Sequence, residues 1–126
     1  MNFDPMLPIW AQVADALKRD MVSGRLKPGD RLLSTRELAL RFTINPNTAA
    51  RVYQELENSG LCETRRGLGT FVTADAERIA ALRAAMAEEL LRGFLSRLQD
   101  LGLTRGEALA MIEAAEQAQP AGPSEE

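Results

Sequence analysis

The side chains of this chain best suited to chemistry are Asn47 and Thr48, the arginine doublet Arg65-Arg66 beside Gly67, and an isolated Arg36. Their chemistry is recognition. An asparagine can take N6 and N7 of adenine together, and a threonine can bond a base or offer its methyl to thymine. Arginines meet phosphates, and a narrow A·T-rich minor groove attracts an inserted arginine. Blander readings stand beside these: Asn47 and Thr48 could only satisfy a first helical turn, and arginines at a turn are often merely solvated. Catalysis finds no footing. The chain has no histidine and one cysteine, Cys62, which removes histidine-based triads and a zinc site of ordinary ligands. No enzyme, metal site or cofactor is expected.

These side chains need elements to hold them. Ser34-Thr35-Arg36-Glu37 reads as a capping box opening a short helix that carries Leu38, Ala39 and Phe42. Asn45 then reads as an N-cap with Pro46 at the first helical position. This second helix runs to about Ser59, where Gly60 supplies the left-handed stop, and its inward stripe is Val52, Tyr53 and Leu56. Leu61 to Thr64 and Thr70 to Val72 make a hairpin across Arg65-Arg66-Gly67-Leu68-Gly69. Upstream, Pro8 starts an amphipathic helix with Ile9, Val13, Leu17 and Met21, ended by Ser23-Gly24. A turn at Lys27-Pro28-Gly29-Asp30 leads into Arg31-Leu32-Leu33, a candidate very short strand.

That order predicts a mainly α fold with a small β-hairpin. A winged helix-turn-helix DNA-binding domain spans 7–73, a two-helix dimerisation domain spans 74–118, and a polar tail with two prolines, 119–126, is expected to be disordered. In such a fold the N-terminal end of the second helix enters the major groove, which aims Asn47 and Thr48 at the bases. Asn45 is explained by capping, although its amide can still meet a phosphate. Arg36, in a first turn where it opposes the helix dipole, calls for an anionic partner. Arg51 is either a phosphate clamp or the i+4 partner of Glu55. Arg65, Arg66 and Gly67 form the wing tip, where glycine lets backbone approach another surface closely. Cys62 reads as a small strand residue, and Trp10 as core or dimer packing.

Charge is split along the chain. The net charge of −3 combines ten Lys and Arg against eight Asp and Glu in residues 1–73 with five against ten in residues 74–126. A DNA-facing half and a half that stays off DNA fit that division. No apolar run suits a membrane span, the N-terminus does not read as a secretory signal, and a lone cysteine fits the cytoplasm.

Pro8-Ile9-Trp10-x-Gln12-Val13, Gly24-x-Leu26-x-Pro28-Gly29-Asp30-x-Leu32, Arg36-Glu37-Leu38-Ala39 and Gly67-x-Gly69-Thr70-Phe71-Val72 follow one another in order. With them the chain resembles the GntR family of bacterial transcription regulators over nearly all of residues 7–73. A tail too short for a large effector domain, together with Asn45-Pro46-Asn47-Thr48, is similar to the YtrA-type subfamily. The resemblance implies a dimerising tail, repression of ABC-transporter operons, and DNA contacts at Arg36, Arg66 and Gly67. Two departures stand out: Leu33 replaces the usual proline before the serine, and Ala50 replaces an arginine that touches DNA in many members.

The tail carries its own argument for a partner. Ile79, Leu82, Met86, Leu90, Phe94 and Leu98 keep one face of a helix about 40 Å long, at about 1.5 Å per residue. Burying such side chains is worth roughly 1.5–3 kcal/mol each. The helix behind the Thr104-x-x-Glu107 capping box offers little beyond Leu109, Met111 and Ile112 to cover them. A second copy is the economical cover, and its two-fold symmetry implies an inverted-repeat operator. The expected function is a dimeric repressor acting on double-stranded DNA, including an operator of its own gene. The alternative is a winged-helix protein-interaction module without DNA binding, against which the wing arginines argue.

Overall fold

The computed structural model describes residues 2–118; the expectation for 119–126 lies outside the described residues. The elements run α1 (Ile9–Ser23), α2 (Thr35–Phe42), α3 (Pro46–Asn58), β1 (Cys62–Arg65), β2 (Gly69–Val72), α4 (Ala76–Asp100) and α5 (Arg105–Ala118). The fold is therefore mostly helical with one antiparallel hairpin. Two compact units divide the chain, Met1–Ala84 and Ala85–Glu126.

Local signals set the element ends in the first unit. Pro8 stands just ahead of α1, and Gly24 closes it at φ +89°. At α2 the Ser34 hydroxyl accepts from the Glu37 amide at 3.1 Å while the Glu37 carboxylate accepts from the Ser34 amide at 2.8 Å. Asn45 caps α3, its Oδ1 accepting from the Asn47 amide at 2.7 Å. Between the two helices Thr43 takes φ +54° and turns its N–H onto the carbonyls of Ala39 and Leu40. A β-branched residue there is uncommon, and the reversal between two helices is what demands it.

The core of this unit joins α1, α2, α3 and the hairpin. Val13, Leu17 and Met21 recur every four residues and meet Leu38, Ala49, Val52, Leu56, Leu61 and Val72. The hairpin pairs Cys62 with Val72 and Arg65 with Gly69. Arg31 bridges to Phe71 on the free edge of β2, with the Leu32 N–H donating to the Thr70 carbonyl at 2.7 Å. The short strand expected at Arg31-Leu32-Leu33 is thus a single bridge that widens the wing. The beginning of α4 also belongs here: Ile79 is buried in this core and Leu82 packs against it. Both had been expected on the dimer stripe. Their burial is satisfied within the chain, where the start of α4 lies beside the end of α3 and Arg78 Nη1 donates to the Ser59 carbonyl at 3.4 Å.

The second unit is built differently. Thr104 and Glu107 make the expected capping box at 2.9 and 3.1 Å. Only Ala108 is buried among its described residues. Leu95, Leu98 and Leu103 are half-buried, while Leu90 and Leu101 are each 76% exposed.

Candidate DNA interface

The recognition helix α3 presents its N-terminal turn to solvent because its opposite face is committed to the core through Ala49, Val52, Tyr53 and Leu56. Asn47 is exposed and Thr48 is half-buried beside it. Neither side chain has a hydrogen-bond partner among the described residues. The capping duty falls on Asn45, whose carbonyl oxygen is used inward and whose NH2 group keeps its donors. The Asn47 amide is thus capped by Asn45, and the Asn47 and Thr48 side chains take no part in that bond.

Arg36 stands exposed in the first turn of α2 and makes no ion pair among the described residues. Its neighbour Glu37 is held by the Ser34 amide and hydroxyl, which lower its carboxyl below the ordinary range. The charge at the helix start is thus acidic inside the box and basic outside it.

Arg51 has two partners. Its guanidinium lies 4.3 Å from the centre of the Trp10 ring and 3.9 Å from the Glu55 carboxylate. One of the two readings left open above, the i+4 pair with Glu55, is present, and Trp10 joins α1 to α3 by stacking under the guanidinium. Sequence reasoning missed that contact, for which a lone tryptophan forty-one positions away gives no signal.

At the wing, Arg65 and Arg66 part company. Arg65 ends β1, is bound by Glu63 at 2.8 Å and lies 4.5 Å over the Phe71 ring. Arg66 is exposed in the turn and makes no ion pair among the described residues. The Leu68 N–H donates to the Arg65 carbonyl at 2.8 Å, with Gly67 at φ +79° between them. Nothing stands where a Gly67 side chain would be, so that glycine serves the turn and leaves the tip open to a close approach. Leu68 is exposed beside it.

Behind the interface two groups lock α3 in place. The Tyr53 hydroxyl donates to the Leu33 carbonyl at 2.5 Å, anchoring the segment that leads into α2 where the usual proline is missing. Burial pushes the Tyr53 phenol above its ordinary range. Burial likewise pushes the Cys62 thiol up to about 11, with the charges of Glu57 and Glu63 adding to it. An inert small strand residue is what this describes.

A short capped helix, a recognition helix with a free polar N-terminus, and a wing with a basic glycine tip define the winged helix-turn-helix class of DNA-binding regulators. The family model for bacterial regulatory proteins of the gntR family matches residues 10–72. The chain is 42% identical to the HTH-type transcriptional regulator YhcF of Bacillus subtilis, over 89% of this chain and 93% of that protein. It is also 44% identical over 70 residues to the HTH-type transcriptional repressor YtrA of Bacillus subtilis, 56% of this chain and 54% of YtrA. Among solved structures, a GntR family transcriptional regulator from Listeria monocytogenes superposes with a TM-score of 0.84 at 36% identity, covering 89% of this chain and 98% of its own. The DNA-binding domain of AraR, solved in complex with operator ORX1, gives a TM-score of 0.54 at 27% identity over 58% of this chain and 93% of that one. The chain belongs to the GntR family and is a transcription regulator with a DNA-binding winged helix-turn-helix.

Proposed function

We propose that this regulator is a homodimeric repressor of the YtrA type that binds an inverted-repeat operator through Arg36, Asn47, Thr48, Arg66 and Gly67, with Asn45 and Arg51 adjoining the backbone. The observation that carries the DNA face is that Arg36, Asn47, Thr48 and Arg66 have no side-chain partners among the described residues, the first three in the opening turns of capped helices and Arg66 in the wing turn. Arg65 contributes from beneath, holding the wing through Glu63 and Phe71.

The dimer rests on the second unit. Phe94 is 44%, Leu109 59% and Ile112 39% exposed beside the still more open Leu90, a surface that a second copy would cover. Met86 and Leu98 are half-buried and would edge that contact, whereas Ile79 and Leu82 contribute to the wing core instead. The DNA-binding domain is assigned to 7–73 and dimerisation to 74–118. Repression is supported by the name of the YtrA relative, and the subfamily resemblance extends the proposal to an ABC-transporter operon and the regulator's own gene. Such a protein works in the cytoplasm; no described helix is long and apolar enough to cross a membrane.

The test is fluorescence anisotropy on the DNA upstream of its own gene, as a salt series beside a scrambled duplex. Tight binding to the first alone, lost steeply as salt rises, is the expected result. No binding to any member of a random-duplex pool would sink the DNA reading in favour of a protein-interaction module.

A further inference from the structure

We propose that Arg31 is a further DNA-contacting residue, gripping a backbone phosphate between those met by Arg36 and by the tip of the wing. The inference rests on the DNA face described above and adds a residue outside both the recognition helix and the wing tip.

Arg31 follows the Lys27–Asp30 turn and bridges to Phe71 on the free edge of β2. In antiparallel pairing, partners point to the same face. Arg31, Phe71 and Glu63 therefore share one face of the wing with Arg65 and Gly69, while Cys62 and Val72 point the other way into the core. The Arg31 guanidinium runs toward the tip across Gly69: a Cβ on Gly69 would stand 3.0 Å from Nε and 3.5 Å from Nη2. The missing side chain at Gly69 is what lets the guanidinium lie there. The same charge also reaches Glu37 in the first turn of α2 and helps to keep that carboxyl low.

The neighbouring acids are occupied elsewhere. Asp30 accepts from the Lys27 amide at 2.8 Å, Glu37 from the Ser34 amide, and Glu63 binds Arg65. Arg31 is exposed and has no ion pair among the described residues. An unpaired guanidinium steered over a glycine, between the α2 start and the wing tip, is arranged for an anion arriving from outside. A duplex docked on α3 and the wing supplies one as its backbone passes.

The experiment compares wild type with R31A, R31K, R36A and R66A for binding to a mixed-sequence duplex across a salt series. R31A should lower the slope of log affinity against log salt by about 0.9 per chain. It should weaken specific and scrambled duplexes alike, since a phosphate contact reads no sequence. R31K should keep the wild-type slope, because a point charge suffices. Arg31 is exposed, so its variants should melt as wild type does. An R31A slope equal to wild type, with R36A and R66A reduced, would overturn the role of Arg31 alone. Unchanged slopes in R31A, R36A and R66A together would overturn the whole DNA face, and this inference with it.

Discussion

The two compact units spend their apolar residues in opposite ways. In Met1–Ala84, three helices and a hairpin converge on one core, and the largest side chains within it are fully buried. In Ala85–Glu126, two helices of leucine, methionine and phenylalanine bury a single alanine among the described residues. A surface helix usually keeps its apolar stripe against a core, and the second unit leaves much of that stripe open, which is why we propose a second copy as its cover. The first unit is complete in its packing and incomplete in its charge, with arginines waiting for an anion. Each half of the molecule leaves a different kind of group unsatisfied, polar in the first and apolar in the second, which is the contrast on which the proposed DNA and dimer contacts rest.

The sharpest way to break this contrast is to cut into the first core. Leu56→Ala should destabilise the protein by about 2–5 kcal/mol, measured as a shift in the urea midpoint. A loss below about 1 kcal/mol would mean that the core is looser than its burial implies. The matching change in the second unit, Leu90→Asp with Phe94→Asp, should leave the winged unit folded while splitting the dimer. Losing the burial of two such side chains per chain removes about 3 kcal/mol or more of association, read by sedimentation equilibrium and by weaker operator binding. If those variants sediment as wild type does, the proposed dimer through this surface is wrong.

Two finer changes test how the first unit is held. Tyr53→Phe removes the bond to the Leu33 carbonyl and should cost about 1 kcal/mol, visible in thermal unfolding. The smallest effect concerns Glu37. Its carboxyl is lowered by the Ser34 amide and hydroxyl, so the unfolded chain takes up its proton first as pH falls. Its contribution is present at neutral pH and is lost on acidification through its folded value. Glu37→Gln keeps an acceptor for the Ser34 amide and should flatten that acid limb with little change at neutral pH. An unaltered acid limb would show that other carboxylates dominate it.

Much of the fold was legible in single residues. Ser34 and Glu37, Asn45 and Pro46, Gly24 and Gly60, Thr104 and Glu107 marked helix ends because capping acts between positions two to four apart, within reach of a pattern. Asn47 and Thr48 followed from the cap before them. The rest depended on chain reversal. Trp10 lies under Arg51, Arg31 crosses Gly69, and the Tyr53 hydroxyl reaches Leu33, all between residues far apart in sequence. The split between Arg65 and Arg66 also escaped, since strand register decides which of two adjacent side chains meets Glu63 and Phe71.

The sequence by itself determined the order of elements, the position of the recognition helix and the family, because periodicity, caps and turn glycines are local. Tertiary structure alone decided where the apolar stripe of α4 changes employment. Ile79 and Leu82 lie on the same stripe as Leu90 and Phe94, yet Ile79 is buried in the first core with Leu82 packed against it, while Leu90 and Phe94 stay exposed. Periodicity says which side of a helix is apolar; what that side meets depends on the surface that folding brings beside it.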